Sequence, residues 1–187
     1  MVDIALLQSV SYIAGALGVC IAAIFYVLNL RISQKNMKQT LETRQAQFYM
    51  QIYNHLTSED SQRRWVDAMN MEWRDYDEYE KKYGSDEHPE IYAKRYAALY
   101  EFGGVGYLLK KGLIDRDTAY SLAETQGLWL WRKFESMVRE QRVRYNTPES
   151  FSDLEYLAAE TVKELEGRGL SSSVPEGFAH YTGKTSP

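Results

Sequence analysis

The sequence has few cysteines, few prolines and no excess of basic residues, and each shortage argues against a class of protein. The single cysteine, Cys20, excludes an intramolecular disulfide framework in a chain of 187 residues. Only four prolines are present, so long stretches are free of the strongest helix breaker. A formal net charge of −4 argues against a nucleic-acid-binding surface, which is usually strongly basic. Together these shortages favour a helical protein without nucleic acid as a partner.

The sequence also lacks recognisable catalytic and metal-binding motifs. The three histidines, His55, His88 and His180, are far apart and do not show metal-ligand spacing. The tripeptide GKT at 183–185 resembles the end of a phosphate-binding loop, but Phe178 stands where that motif needs its first glycine. We therefore expect no catalytic residue, no metal site and no cofactor, and we do not expect the protein to be an enzyme.

What the sequence does contain is one uncharged, mostly apolar stretch at residues 4–30. An α-helix of this length is about 40 Å long, whereas a bilayer core about 30 Å thick needs about 20 apolar residues. We predict a transmembrane helix. A cleaved signal peptide is disfavoured because Asp3 makes the beginning acidic, and a lipoprotein signal because the bulky Val19 precedes Cys20. A buried core helix of a soluble protein is the third alternative.

The basic residues that follow this stretch, Arg31, Lys35 and Lys38, predict its orientation. Because positive charge favours the cytoplasmic side, we expect a single-pass protein of the cell membrane with its N-terminus outside and its C-terminal domain in the cytoplasm. The same side chains are candidates for contact with the headgroups of membrane lipid, at about 1 kcal/mol each. The alternative is that they serve only as a stop signal.

Small residues recur at every fourth position inside the predicted span, at Ala14, Gly18 and Ala22. Such a row lets two helix backbones approach closely, and helices in lipid associate by packing. We predict a transmembrane helix contact here, either in a homo-oligomer or with a subunit of a larger membrane complex. The alternative is that small residues are simply common in membrane spans.

The helical pattern continues beyond the span, because residues 31–56 contain neither glycine nor proline. Met37, Leu41, Phe48 and Ile52 recur at spacings of four and seven, which is one helical face. We predict an all-α fold, in which the transmembrane helix continues into a stalk helix and then a compact bundle of about four helices. The predicted domains are an anchor (1–30), a stalk (31–56), a cytosolic helical domain (57–166) and a disordered tail (167–187). The bundle helices are expected at about 59–83, 90–111, 115–144 and 150–166.

One carboxylate in the predicted helix 90–111, Glu101, is expected to be buried because Leu99, Phe102 and Gly103 lie beside it in the sequence. A buried carboxylate must be paired or neutralised. We predict a structural ion pair with Arg132 or Arg142 on the next helix, and the alternative role is a catalytic acid. Gly103, Gly104 and Gly106 are expected to allow close helix packing.

The stretch LYEFGGVGYLLKKGLID at 99–115, a tryptophan-bearing helix after it, and FxxLEYL at 151–157 resemble a functionally uncharacterised prokaryotic family. Its members have one N-terminal span and a small helical cytosolic domain. The resemblance covers about residues 47–165. It implies this same architecture and no known activity.

The function expected from these features is that of a membrane-anchored interaction or accessory protein. It would present a cytosolic helical module, through self-association or attachment to a membrane complex. The alternative is a signalling or regulatory protein that transmits a ligand or lipid signal through the stalk helix. A third class, an enzyme acting on a membrane-proximal small molecule, needs a pocket with convergent polar groups.

Overall fold

The computed structural model describes residues 4–173, and all regular secondary structure in that range is α-helical. The all-α prediction is confirmed, with seven helices and no strand among the described residues. The chain divides into two compact units, Met1–Gln51 and Ile52–Pro187.

The first helix, α1, spans Ile4–Leu56 without a break. Its 53 residues correspond to about 80 Å at 1.5 Å per residue. Every residue from 7 to 48 is exposed. The most apolar 18-residue window of α1 has a mean hydropathy of 2.2 and is 0% buried, so the helix is long and apolar enough to cross a membrane. The boundary between anchor and stalk stays a prediction, since no break in the helix marks it.

The second unit contains six helices, which we name in chain order: α2 (Glu59–Met69), α3 (Tyr76–Tyr83), α4 (Pro89–Lys110), α5 (Arg116–Ala123), α6 (Gln126–Arg144) and α7 (Ser152–Gly167). Helix α4 is central and packs most extensively against α7, with further contacts to α2, α3 and α5. Helix α6 packs against α7 and α2. The core between them contains Leu99, Phe102, Phe134 and Leu154, each at most 1% exposed.

Side-chain caps and turn residues set several helix ends. Ser58, Asp75 and Asp115 accept a hydrogen bond from the backbone N–H three residues on, at 3.3, 2.8 and 2.8 Å, and so begin α2, α3 and α5. Pro89 occupies the first turn of α4, where its missing N–H is harmless. Gly112, with φ +66°, follows the end of α4 in the left-handed conformation that glycine adopts readily.

Two helices expected to be continuous are each divided in the structure. The predicted helix 59–83 is interrupted between Met69 and Tyr76, where Trp73 packs against the rings of Phe134 and Tyr79 at centroid distances of 5.2 and 5.1 Å. The predicted helix 115–144 is interrupted at Glu124, whose φ of 43° and ψ of −129° are incompatible with a helix. The predicted disordered tail lies outside the described residues from position 174 onward.

Candidate functional site

The best-formed polar site in the described structure is centred on Glu101 of α4, whose side chain is 11% exposed. The Ser61 hydroxyl donates a hydrogen bond to Oε2 of Glu101 at 2.7 Å, and Nη2 of Arg64 donates to Oε1. His55 Nε2 lies 3.4 Å from the same Oε1 and carries a charge only when it is protonated. Three side chains thus contact one carboxylate, and we call this group (His55, Ser61, Arg64 and Glu101) the Glu101 cluster.

The local fold explains why these side chains meet. His55 lies in the last turn of α1, which ends at the buried Leu56, and Thr57 and Ser58 form the turn between α1 and α2. Ser61 and Arg64 are one turn apart on α2, and α2 packs along α4. The cluster therefore joins the end of α1, the beginning of α2 and the middle of α4 within the second unit.

The partners predicted for Glu101 require a correction. Arg132 donates instead to the backbone carbonyl of Ser172. Arg142 forms an ion pair with Glu155, at 2.8 Å between Nη1 and Oε2. The structure thus pairs Glu101 with Arg64, because α2 packs against α4. Arg132 and Arg142 contact residues in the C-terminal part of the chain instead.

The geometry of the cluster suits a structural joint better than an acid catalyst. Both Glu101 oxygens already accept hydrogen bonds, and Arg64 supplies a counter-charge with a side chain only 22% exposed. A catalytic acid needs access to a substrate, whereas the Glu101 side chain is only 11% exposed. The cluster can therefore fix the end of α1, the beginning of α2 and the middle of α4 against one another.

A second feature, which sequence reasoning missed, is Arg95 of α4, buried among tyrosine rings and 1% exposed. Its Cζ lies 4.5, 5.0 and 5.1 Å from the ring centroids of Tyr79, Tyr92 and Tyr96. Its Nη1 donates a hydrogen bond to the carbonyl of Tyr83 at 3.0 Å. The rings stabilise the cation through their negative faces, and burial raises the pKa of the Tyr79 phenol. Arg95 thus joins α3 to α4.

A third feature is Lys133 of α6, which is 3% exposed. Its Nζ lies 5.1 Å from the Trp73 ring, and it makes no hydrogen bond or ion pair within residues 4–173. Burial lowers the pKa of the Lys133 ammonium. The sequence does carry a sign that both cations are buried, because each shares a helical face with apolar residues. Lys133 is three residues after Leu130 and four before Met137, and Arg95 is four residues before Leu99.

The described residues offer little for a small ligand or metal. No group of three or more His, Cys, Asp or Glu side chains within them could hold a metal ion. An open groove runs beside α3, and its central carboxylate, Glu78, pairs with Lys82 and Arg74, each at 2.8 Å. Hydrogen bonds from these two cations lower the pKa of Glu78 to about 2. The Glu78 carboxylate is thus already paired within the groove.

The remaining predicted site residues all lie on the exposed part of α1. Ala14, Gly18 and Ala22 are exposed, and no atom lies within 4 Å of a Cβ added at Gly18. Arg31, Lys35 and Lys38 are exposed as well. The helix contact and the headgroup contact therefore stay predictions.

Comparison with known proteins finds one matching family, and the function of that family is unknown. Neither a curated protein nor a solved structure matches the chain. The model of a family described as a domain of unknown function, DUF4760, matches residues 13–161. That range begins inside the apolar part of α1 and ends inside α7, and it includes the whole Glu101 cluster. The chain therefore belongs to the DUF4760 family.

Proposed function

We propose that the chain is a single-pass membrane protein that holds a helical module at the cytoplasmic surface and acts by binding other proteins. The observation that carries this proposal is the exposed apolar part of α1. Its most apolar window is 0% buried, although its mean hydropathy is 2.2. A helix of this composition needs an apolar surrounding that the described chain does not supply.

The free energy gained by burying the exposed apolar side chains of α1 is comparable with the stability of a whole domain. Twelve Ile, Leu, Val and Phe side chains between Ile4 and Leu30 are 48–78% exposed. Burying one such side chain completely contributes about 1.5–3 kcal/mol, so burial of the exposed part of all twelve contributes at least about 10 kcal/mol. This equals the total stability of many domains, about 5–15 kcal/mol. Insertion into hydrocarbon supplies that burial without a further protein.

Two alternatives for the apolar segment fit less well. The core helix of a soluble protein would be mostly buried, in contrast to α1. A cleaved leader would lie outside the domain that a family shares, but the DUF4760 match begins at residue 13, inside the segment. Helix α1 also continues to Leu56 without a break at which a leader would end. These observations support a permanent anchor.

The mode of association follows from the same segment. The row Ala14, Gly18 and Ala22 would let the backbone of a second helix approach closely. We propose that this row contacts either a second copy of the chain or a subunit of a larger membrane complex.

Cys20, the only cysteine, allows a direct test in the full-length chain. In intact membranes, a water-soluble maleimide should leave Cys20 unlabelled, and dissolution in sodium dodecyl sulfate should make it reactive. In a Cys20→Ser background, a cysteine at position 3, which precedes the apolar stretch in the sequence, should be labelled from outside the cell. A matched cysteine at the exposed Ser85 should be labelled only in inside-out vesicles. Labelling of Cys20 in intact membranes, or a chain that remains in solution without detergent, would contradict the proposal.

The second candidate function is signalling through α1. It is favoured by one observation: an unbroken helix from Ile4 ends in the Glu101 cluster. A movement of the helix could therefore reach α2 and α4 through one carboxylate. In a Cys20→Ser background, cysteines at Met37 would report this by crosslinking. A signalling protein should give crosslink yields that change when lipid composition or added ligand changes. A passive anchor should give a constant yield.

A further inference from the structure

One face of α1 changes from apolar to basic at the end of the apolar segment. Ile24 and Val27 are followed by Arg31, Lys35 and Lys38 at spacings of three and four, so all five share an arc of about 80°. Ile24 is 61% and Val27 48% exposed, and the three basic residues are exposed. The apolar part of this face is therefore directly continuous with its basic part.

The dimensions of the basic part match those of a lipid headgroup layer. Seven residues separate Arg31 from Lys38, which corresponds to about 10 Å along the helix axis. The polar layer on one side of a bilayer is about 5–8 Å thick. Lysine and arginine side chains are long enough to reach back over such a difference. With the span in the membrane, all three cations can lie at the level of lipid phosphates.

These cations have little negative charge to pair with inside the chain. Within residues 4–173, Arg31 and Lys35 form no ion pair, and Lys38 lies 3.9 Å from Glu42, with the two side chains 80% and 62% exposed. An exposed pair of this kind contributes little. Residues 31–51 carry four basic side chains and one acidic one, although the whole chain has a net charge of −4. The positive charge is thus concentrated where the apolar segment ends.

We propose that this face binds an anionic phospholipid, with an acyl chain along Ile24 and Val27 and the phosphate among Arg31, Lys35 and Lys38. The proposal rests on the proposed membrane span and names a lipid partner for it. Charge complementarity and continuity with the apolar face select a lipid over a soluble anion, because only a lipid contacts both parts at once. Each cation near an anionic surface should change the preference for anionic lipid by about fivefold.

The test is native mass spectrometry of the full-length chain, purified in mild detergent with equimolar phosphatidylglycerol and phosphatidylcholine. The wild-type chain should retain phosphatidylglycerol in preference to phosphatidylcholine. The triple variant Arg31→Gln, Lys35→Gln, Lys38→Gln should lose most of this preference. The charge-conserving variant Arg31→Lys, Lys35→Arg, Lys38→Arg should keep it. Use of detergent removes any effect of the substitutions on membrane orientation.

A matched control removes three exposed basic side chains from the second unit: Lys81→Gln, Lys94→Gln, Lys111→Gln. This control should retain the wild-type preference. Equal retention of both lipids by the wild-type chain, loss of preference in the control, or displacement of phosphatidylglycerol by inorganic phosphate would each overturn the inference. So would dimers that the triple variant abolishes without any lipid preference, because an acidic surface of a second copy would then be the occupant. A chain that needs no detergent would instead refute the membrane span itself.

Discussion

Replacement of Glu101 by glutamine is the most direct perturbation of the site that joins three helix segments. The amide keeps the shape of the side chain and one carbonyl acceptor, and it removes the negative charge. Arg64, 22% exposed, then loses its counter-charge, and His55, 60% exposed, loses a nearby carboxylate. The Ser61 hydroxyl, which donates to the carboxylate at 2.7 Å, is left with a neutral acceptor at best.

The expected loss can be assembled from these three contacts. Leaving a fully buried charge unpaired costs about 3–5 kcal/mol, and the partial exposure of Arg64 reduces this to about 1–2 kcal/mol. A hydrogen bond to a charged group contributes about 1 kcal/mol more than a neutral one. The exposed His55 contributes less than about 0.5 kcal/mol. We therefore expect Glu101→Gln to lower the free energy of unfolding of the second unit by about 2–3 kcal/mol.

The assay is thermal unfolding of the full-length chain in mild detergent, followed by tryptophan fluorescence. All four tryptophans lie in the second unit, so the signal reports on that unit alone. Glu59→Gln is the matched control, because Glu59 pairs with Arg63 at 2.6 Å but both side chains are more than 70% exposed. The control should change the free energy by less than about 0.5 kcal/mol.

A double-mutant cycle separates the ion pair from other effects of the substitution. Arg64→Met removes the cation, and the double variant with Glu101→Gln leaves neither charge unpaired. The sum of the losses in unfolding free energy for the two single variants should therefore exceed the loss for the double variant, with a coupling energy of about 1–2 kcal/mol. If Glu101→Gln proved as mild as Glu59→Gln, or if the coupling energy were zero, the Glu101 cluster would not be a structural joint.

Three further substitutions test other parts of the second unit by the same unfolding assay. Gly106→Ala should lower the free energy of unfolding by about 3 kcal/mol or prevent folding, because the new Cβ would overlap the Asp153 carbonyl of α7. Gly104→Ala is the control: no atom outside its own helix backbone lies within 4 Å of the new Cβ, so it should be neutral or stabilise by up to about 1 kcal/mol. Equal effects of the two substitutions would refute the packing of α4 on α7 at Gly106. Lys133→Met should stabilise by about 1 kcal/mol at neutral pH. Burial lowers the pKa of the Lys133 ammonium in the folded state, so the unfolded state binds more protons between that lowered pKa and the ordinary value of 10.5. The wild-type chain should therefore gain stability, and the advantage of methionine should shrink, as pH rises through this window; a constant advantage would contradict this. Glu124→Gly should add about 1 kcal/mol by relieving a backbone with φ 43°, and Glu124→Ala should add nothing.

Much of the fold was predictable because its helix boundaries have local causes. Pro89 and Gly112 begin and end α4, and Asp115 caps α5, as the positions of these residues in the sequence indicate. The absence of glycine and proline after residue 30 likewise predicts the continuation of α1 to Leu56. Each of these signals acts within a few residues of the boundary that it sets.

The two missed breaks have causes that are not local. Between α2 and α3, large side chains keep a spacing of three or four across the break, as Met69, Trp73 and Tyr76 show, so the periodic pattern gives no sign of it. The break depends on Trp73 packing against Phe134, which is 61 positions later in the chain. At Glu124 the positive φ falls on a residue that rarely adopts it, and no turn residue marks the position.

At the candidate site, too, some features have local causes that the sequence shows, and others depend on tertiary packing. The apolar neighbours of Glu101 predict that it needs a partner, but the choice of Arg64 depends on how α2 packs on α4. Close packing was expected at three glycines of α4, and a Cβ would overlap another helix only at Gly106. Sequence pattern identifies side chains that need a contact, and tertiary packing decides which contact they make.

The extent of the family match bears on which part of the protein performs its function. If the helical module acted alone and its anchor were interchangeable, the shared domain would begin near α2. Instead, the DUF4760 match begins at residue 13 and includes more than half of the apolar segment. The matched range thus includes most of the apolar part of α1 and most of the second unit, to which His55 and Leu56 in the last turn of α1 belong. The Glu101 cluster lies inside this matched range, so Glu101→Gln tests a site within the family's shared domain.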